Sequence, residues 1–362
     1  MTRLWMRDEA RETERRAALT PADAEVLVKS GFNISVEESD KRAFSHIDYQ
    51  AAGCELVESG SWIDAPTSSI ILGLKELPEA PLSLRHRFIH FAHLYKDQTG
   101  WEHEIARFEQ GGGSLFDIEY LVGLDHRRVA AFGYWAGWIG AAVGLWRLLE
   151  RRAGKNEINK GVHEFSSKDD VTETLRGLRE QGSGEIPTVL VVGANGRSGT
   201  GAADCLESAG VAVTRWDMAE TADLDRAALL SHDMLVNCVL VTGPGLLLVT
   251  ADDLSPPASR LKVLSDVACD PLSDFNPLPV YKAPTSWSKP FEVIGKNDAG
   301  EDIEITAIDN LPSLLPGPAS EDFSSQLVKS LARFPDGPEW QASLQSFRDA
   351  CERASRAKPE QM

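Results

Sequence analysis

Short apolar runs alternate with helical patterns along most of the chain. Thr20 stands directly before Pro21 and a mixed polar and apolar pattern that ends near Gly31, which predicts a helix with Thr20 as its N-cap. Runs with the length and composition of strands lie at residues 33–37, 69–75, 87–93, 188–192, 211–216, 234–241 and 262–267. This alternation predicts an α/β protein with parallel sheets.

A glycine-rich turn follows one of these strands. Residues 188–192 form a continuous strand-like run, and glycines recur through 193–199. A strand, a glycine turn and a helix in this order are typical of a dinucleotide site. The glycines let the backbone approach a pyrophosphate, and the helix points its first amides at that charge. The spacing is GxxGxxG rather than GxGxxG, so a purely structural turn remains the alternative.

The next strand-like run, 211–216, ends at a single acidic residue, Asp217. A carboxylate at this position can accept hydrogen bonds from ribose hydroxyls. The same negative charge would repel the 2′-phosphate of NADP. We therefore expect NAD as the cofactor.

Residues 130–149 form a nearly uncharged stretch that is rich in Trp and Gly. Its length approaches that of a membrane span, but Arg147 interrupts it and no comparable stretch occurs elsewhere in the sequence. We expect a buried helix between two domains instead. Several small residues would let other backbones pack closely on this helix: Ala136, Gly137, Gly140, Ala141 and Gly144.

Chain length predicts more than one domain, because 362 residues exceed the size of a comfortable single core. Residues 154–187 are polar and are expected to form a surface connection that contains a helix at 169–179. The proline-rich stretch 270–290 is expected to form an active-site rim. The last segment, 323–357, is amphipathic and is predicted to be helical.

Composition excludes several classes of function. The net charge of −18 argues against nucleic acid as a partner, because no basic stripe could neutralise phosphates. Five cysteines are scattered without the spacing of a zinc site or a disulfide framework, which suggests a reducing cytoplasm and no metal. The first residues lack the apolar region of a secretory signal, and no membrane association is expected.

Candidate acid–base residues follow two neighbouring strands. Lys75 and Glu76 come at the end of the strand predicted at 69–75, and His93 ends the strand predicted at 87–93. Ligands of open α/β sheets bind at this carboxyl edge. Desolvation and nearby charge can bring the pKa values of Lys and His toward neutrality there. The alternatives are a solvated lysine at a strand end and a hydrogen-bonded core histidine.

Other charged residues suit substrate binding. Arg16 precedes the first helix, and Arg128 precedes the buried helix; both could grip carboxylates through bidentate hydrogen bonds. Glu119 could tune the pKa of a neighbouring base, and Asp309 could face the cofactor or the substrate amine. The alternative for the arginines is surface charge, and for Glu119 an ordinary carboxylate on a helix or strand.

Several motifs together point to one enzyme family. They lie at residues 14–21, 71–76, 91–98, 127–133, 266–267, 276–281 and 308–316. On these motifs the chain resembles the NAD-dependent, lysine-forming saccharopine dehydrogenases of the α-aminoadipate pathway over nearly its full length. It is more distantly similar to alanine dehydrogenase and to the nicotinamide-binding part of transhydrogenase.

The resemblance implies two Rossmann-like domains with parallel sheets flanking an interdomain cleft. Residues 1–132 and 317–362 would form the substrate-side domain, and 133–316 the NAD-binding domain. The implied reaction converts saccharopine, NAD and water into lysine, 2-oxoglutarate and NADH by proton transfers and an imine. The expected partners are these small molecules, with neither nucleic acid nor membrane, and a monomer is compatible with the resemblance.

The resemblance also implies roles for individual residues. Lys75 and His93 would be the acid–base groups, with Glu76 and Glu119 tuning their pKa values. The substrate carboxylates would be held by Arg16, Lys96, Gln98 and Arg128. The NAD site would be lined by Gly193, Gly196, Arg197, Ser198, Asp217, Cys238, Val239, Asp309 and Leu311.

Two departures from the family pattern concern substrate identity. Ser198 stands where the fungal family has Cys, so a pairing with Cys238 is absent, and Asn310 replaces a His beside Asp309. A related NAD-dependent reductase that couples a 2-oxo acid to a different amine is therefore the alternative enzyme. An NAD-binding regulator without catalysis is the alternative of another class.

Overall fold

The computed structural model describes residues 2–95, 100–155, 157–158, 160–182, 185–241, 243–255 and 259–357. The chain divides into two compact units, Met1–Ala131 with Pro316–Met362 and Phe132–Leu315. Each unit contains one six-stranded sheet with helices between the strands. The predicted α/β class is confirmed.

In chain order the strands are β1 (Arg3–Met6), β2 (Asn33–Glu37), β3 (Glu55–Val57), β4 (Ile70–Leu72), β5 (Arg87–His90), β6 (Ser114–Asp117), β7 (Val189–Val192), β8 (Val213–Trp216), β9 (Met234–Asn237), β10 (Val263–Asp266), β11 (Glu292–Lys296) and β12 (Asp302–Thr306). The α-helices are α1 (Pro21–Lys29), α2 (His46–Ala51), α3 (Trp101–Gly111), α4 (Gly133–Arg152), α5 (Lys168–Gln181), α6 (Arg197–Ser208), α7 (Met218–Ala222), α8 (Arg226–Leu230), α9 (Pro316–Leu331) and α10 (Pro338–Ala357).

The sheet of the first unit has the strand order β3-β2-β1-β4-β5-β6, with every neighbouring pair parallel. From β1 the chain runs outward to β3, then returns to β4 on the other side of β1. The strand order therefore reverses between β1 and β4. In open α/β sheets, ligands bind at the carboxyl ends of the strands at such a reversal.

The first helix begins and ends where its local sequence signals predict. The side-chain oxygen of Thr20 accepts a hydrogen bond from the backbone N–H of Asp23 at 3.3 Å, and Pro21 is the first residue of α1. The helix ends at Lys29, after which Gly31 adopts a positive φ of 96°. A left-handed residue of this kind is the usual helix stop.

The helical structure predicted over residues 323–357 is confirmed, but a break divides it. The structure has two helices there, α9 and α10, separated by a turn that contains Pro335 and Gly337. The fully buried Trp340 donates its ring N–H to the carbonyl of Ser330 at 2.9 Å and so joins the two helices. The amphipathic pattern is similar on both sides of the break and therefore does not indicate it. Proline and glycine mark the break in the sequence.

The sheet of the second unit has the order β11-β12-β10-β9-β7-β8. All pairs are parallel except β11 with β12, which is antiparallel and lies at one edge. The strand order reverses between β7 and β9, so the turn after β7 lies at the switch point of this sheet.

Helix α4 is the buried helix that the sequence predicts, and it belongs to the second unit. Its glycines admit other backbone segments. A Cβ atom on Gly137 would lie 1.7 Å from the carbonyl oxygen of Ser198, and one on Gly201 of α6 would lie 2.0 Å from that of Tyr134. The contact between α4 and α6 therefore requires glycine on both helices. Within the described part of the chain, no helix has the length and hydropathy needed to cross a membrane.

Candidate active site

Three neighbouring strands of the first sheet end beside one another. Leu72 of β4 pairs with Ile89 of β5, and His90 of β5 pairs with Asp117 of β6. The strands are shorter than the sequence predicts, so the candidate residues stand in the loops that follow them. Lys75 and Glu76 follow β4, His93 follows β5, and Glu119 lies in a 3₁₀ turn after β6.

The imidazole of His93 lies between two carboxylates. Its Nδ1 is 3.5 Å from Oε2 of Glu119, and its Nε2 is 3.9 Å from Oε1 of Glu76. The side chain is 44% exposed, and the backbone has a positive φ of 53°. That conformation is uncommon for a residue other than glycine and is frequently found at functional sites.

The carboxylates act on the proton affinity of His93. Hydrogen bonding by Glu119, with the charge of Glu76, raises the pKa of His93 above its ordinary value. Partial burial and the nearby positive charge of Lys75 oppose this effect. The charge of Lys75 therefore acts on the imidazole, while the acid–base role of the two residues stays a prediction.

Glu119 also contacts a candidate substrate-binding arginine. Its Oε1 accepts a hydrogen bond from Nη2 of Arg128 at 2.9 Å. Its backbone N–H donates to the buried carboxylate of Asp117, whose other oxygen accepts from the N–H of Ala92. Burial raises the pKa of Asp117 to about 6. Asp117 thus ties the His93 loop to the Glu119 turn. Its bond with Glu119 is a local cap of that turn, whereas its bond with Ala92 depends on the pairing of β5 with β6, which sequence reasoning could not supply.

Arg16 is buried and bound by an acidic neighbour. Its Nε and Nη2 atoms contact the carboxylate of Glu14 at 2.8 and 2.5 Å. The bidentate geometry suits carboxylate binding, and in this structure Glu14 is such a partner. The predicted contact of Arg16 with a substrate carboxylate stays a prediction. Lys96 and Gln98 lie outside the described residues.

The glycine turn after β7 fits a pyrophosphate. Gly193 has a φ of 79°, and a Cβ there would lie 2.9 Å from the side chain of Val239. Gly196 is the N-cap of α6 and leaves the first amides of the helix without a side-chain cap. A Cβ on Gly199 would lie 2.1 Å from the carbonyl oxygen of Gly193. Turn and helix are thus as close as the dinucleotide motif requires.

Asp217 lies directly after β8, next to this turn. One carboxylate oxygen accepts a hydrogen bond from the N–H of Asn195 at 2.8 Å, and the other accepts from Met218. Glu220 returns a bond to the N–H of Asp217, which completes a capping box at α7. The acid therefore fixes the glycine turn, and its predicted contact with a ribose stays a prediction.

The other predicted nucleotide residues differ in exposure. Arg197 and Asp309 are exposed, and Ser198, Cys238 and Val239 are partly buried. Leu311 is 2% exposed and packs on the Gly140 segment of α4, so any contact with a nucleotide would use its backbone.

Comparison with known proteins decides the family. The chain is 39% identical over 360 residues to saccharopine dehydrogenase (NAD(+), L-lysine-forming) of Neurospora crassa, an alignment that covers 96% of this chain and 95% of that protein. The protein of the same name from Yarrowia lipolytica is 38% identical, with 93% and 94% covered. This chain belongs to the family of lysine-forming saccharopine dehydrogenases.

The fold of this saccharopine dehydrogenase family is shared more widely. Residues 5–139 match the family described as alanine dehydrogenase/PNT, N-terminal domain. A solved L-alanine dehydrogenase has a TM-score of 0.69 at 20% identity, covering 96% of this chain and 94% of its own. A transhydrogenase from Sinorhizobium meliloti has a TM-score of 0.63 at 13% identity, with 94% and 97% covered. These likenesses confirm the predicted pair of Rossmann-like folds.

The structure shows the surroundings of Cys238 and Asn310, the residues that the two departures from the family pattern concern. Cys238 follows β9 and is a free thiol. The other four cysteines, which also lie in the described residues, are free thiols as well. Asn310 is buried, and its carbonyl oxygen accepts a hydrogen bond from the N–H of Ser313 at 2.9 Å. Among the described residues, no group of His, Cys, Asp or Glu is placed to hold a metal ion.

A buried polar cluster supports the loop after β9 in the second unit. Asp266 accepts hydrogen bonds from the amide of Asn237 at 2.9 Å and from the hydroxyl of Tyr281 at 2.6 Å. The side-chain oxygen of Asn237 accepts from the N–H of Val239 at 3.1 Å. Asp266 and Tyr281 lie in motifs of the family resemblance, but the sequence alone assigned them no role.

Proposed function

We propose that this protein is an NAD-dependent saccharopine dehydrogenase that converts saccharopine, NAD and water into lysine, 2-oxoglutarate and NADH, reversibly. The observation that carries the proposal is the identity of 39% over 96% of the chain with a relative of that name. The acid–base residues at the edge of the first sheet and the glycine turn of the second supply the two sets of groups that this chemistry needs.

NAD, when bound, accepts a hydride from the carbon that carries the substrate nitrogen. The second unit would hold it through the amides of the turn at Gly193 and Gly196 and through the carboxylate of Asp217. The absence of a side-chain cap at α6 and the steric need for glycine support this assignment. Arg197, Ser198, Cys238, Val239, Asp309 and Leu311 are the further residues proposed for this site.

The first unit would move the protons. The secondary amine must be unprotonated before oxidation, and water must lose protons as it attacks the imine. Lys75 and His93 divide these transfers between them, and their separate environments allow separate pKa values. Glu119 and Glu76 stabilise the imidazolium form of His93. This arrangement favours the protonated imidazole more than the ordinary pKa of a histidine would.

Charged side chains of the same unit would bind the substrate carboxylates. Arg128 is exposed and contacts Glu119, and its planar guanidinium suits the binding of a carboxylate. Arg16, Lys96 and Gln98 complete the proposed set. A clamp of this kind positions the reacting carbon and reduces the entropy cost of the reaction.

The same proposal includes a cytoplasmic location for the protein and a role in lysine metabolism. It is supported by the five free thiols and by the relatives of the saccharopine dehydrogenase family. The substrates are small molecules, in keeping with a strongly acidic chain that carries no basic stripe.

A substrate panel tests the proposed function. NADH oxidation would be followed with 2-oxoglutarate and, in turn, lysine, ornithine, other amino acids and polyamines. We expect strong preference for lysine. Preference for another amine would select the related reductase, and NAD binding without turnover of any amine would select the non-catalytic regulator.

Asp217→Ala is expected to weaken NAD binding and to relax discrimination against NADP, by roughly tenfold in the ratio of kcat/KM values. Asp217→Asn keeps an acceptor for Asn195 but loses the charge, so it should relax discrimination with less loss of NAD affinity. Asp223→Ala, an exposed acid at the end of α7, is the matched control. An unchanged cofactor preference would remove Asp217 from the site.

Glu119→Gln is expected to shift the acidic limb of the kcat/KM profile to lower pH. His93 must be neutral to accept a proton, so activity falls as the pH drops through its pKa. Glu119 is the main cause of the raised pKa, and its loss lowers that value. Glu102→Gln on α3 is the control, because Glu102 is exposed. A limb that stays in place or moves upward would contradict the assignment.

A further inference from the structure

A buried ion pair stands at the switch point of the first sheet. Arg7 follows β1 and is 2% exposed, and Glu9 is 7% exposed. Nη2 of Arg7 lies 3.1 Å from Oε2 of Glu9. The backbone N–H of Arg7 donates to the carbonyl of Leu72 at 3.0 Å, so the pair is anchored to the last residue of β4.

Glu9 binds the loop that follows β4. Its Oε1 accepts the backbone N–H of Leu74 at 2.7 Å, and its Oε2 accepts that of Lys75 at 3.0 Å. Both oxygens of one buried carboxylate are thus committed to consecutive amides. Charge-assisted bonds of this type are stronger than neutral ones and fix the peptide direction.

Arg7 binds the carbonyl groups of the same loop. Its Nη2 donates to the carbonyl oxygens of Lys75 and, at 3.3 Å, of Glu76. The guanidinium lies against Gly73, where a Cβ would be 2.5 Å from Nε of Arg7. Glycine at this position is therefore what admits the arginine.

We propose that Arg7 and Glu9 are positioning residues for the proposed reaction, and that they fix the backbone of Lys75 and Glu76 so that both side chains leave the sheet edge toward His93. The inference rests on the proposed function, since it assigns the pair a purpose in that same site. Neither residue needs to touch the substrate; both act through the peptide that carries Lys75.

The contacts of the pair distinguish it from a merely structural ion pair. A buried pair is a weak source of stability, because desolvation offsets the attraction. The second unit contains a comparable pair, Arg147 with Glu304, whose side chains are 3% and 4% exposed. Arg147 binds the carbonyls of Lys155 and Glu157, neither of which is a proposed acid–base group. This second pair supplies the matched control.

Glu9→Gln is the first test. The amide keeps the volume of the side chain but presents an N–H₂ group to one of the two backbone amides. We expect kcat to fall roughly 10- to 100-fold, because small displacements of a catalytic group are costly, while KM for NAD stays unchanged. Glu304→Gln should leave kcat unchanged. A Glu9→Gln protein with the kcat of the wild type overturns the inference.

A double-mutant cycle with Lys75→Met separates positioning from general damage. If Glu9 acts through Lys75, Glu9→Gln should cause little further loss of kcat once the lysine is replaced. An equal loss in both backgrounds would show a structural effect independent of Lys75 and would overturn the inference.

Hydrogen exchange gives a readout that does not depend on activity. In Glu9→Gln the amides of Leu74 and Lys75 should exchange faster than in the wild type, whereas those of β7 should not change. Gly73→Ala, which displaces Arg7, should have the same effect. Unchanged exchange in both variants contradicts the proposal that Arg7 and Glu9 fix this loop.

A wild type without dehydrogenase activity overturns the proposed function and any catalytic purpose of the pair. An active wild type with a normal Glu9→Gln overturns the inference alone.

Discussion

Lys75→Met should lower kcat by roughly 10²- to 10⁴-fold, the range expected for loss of an acid–base group. Methionine has a similar length but cannot carry a proton, and it removes the positive charge that acts on His93. NAD affinity should be unchanged, because the proposed nucleotide residues all belong to the second unit. Steady-state kinetics and a direct binding measurement check the two parts.

Lys29→Met is the matched control for this prediction. Lys29 lies at the end of α1, its side chain is 68% exposed, and its Nζ lies 2.8 Å from Oε1 of Glu25 on the surface. Its replacement should leave kcat unchanged. Turnover near that of the wild type in Lys75→Met would eliminate the acid–base role of Lys75.

Gly137→Ala should destabilise the second unit by about 2–4 kcal/mol, at the upper end of overpacking effects. The added Cβ would lie 1.7 Å from the backbone oxygen of Ser198, so α4 and α6 must separate. Because α6 begins at the glycine turn, NAD binding should weaken as well. Calorimetry gives the stability change, and titration with NAD gives the affinity.

Gly177→Ala makes the same substitution in a helix with open space around it. Apart from its chain neighbours and the backbone of its own helix, no heavy atom of the described residues lies within 4 Å of a Cβ at Gly177 of α5, so the change should stabilise the protein by about 0.5–1 kcal/mol. Equal stability of the Gly137 and Gly177 variants would mean that the close packing of α4 on α6 is not a requirement of the fold.

Elements with strong local signals could be predicted from the sequence. The strand at 33–37, the cap at Thr20 and the buried helix near 130–149 each depend on residues within a few positions. The first strand, β1, carries no turn signal before it and was missed. The predicted ends of β4 and β5 are too late, because Leu74, Phe91 and Ala92 continue the apolar pattern beyond the last paired residues, Leu72 and His90.

Only part of the candidate site could be predicted from the sequence. Strand order alone brings the loops of Lys75 and His93 to one edge, so their proximity could be anticipated. The contacts of Glu9 with Leu74 and Lys75 span more than sixty positions of sequence and depend on the pairing of β1 with β4. Such contacts leave no periodic signal in the sequence. The bidentate bond of Arg16 with Glu14 is local, but it depends on a turn that the residue types do not specify.

The interrupted first unit has a consequence for synthesis on the ribosome. Phe347 of α10 stacks edge-on against Phe108 of α3 with ring centres 5.2 Å apart, and α10 also packs on β6. The amino-terminal sheet must therefore wait for the last helix to be translated before its hydrophobic layer is covered. The continuous segment from Phe132 to Leu315 emerges earlier and can reach its native packing first. We therefore expect the second unit to complete its folding before the first, although translation begins with the first.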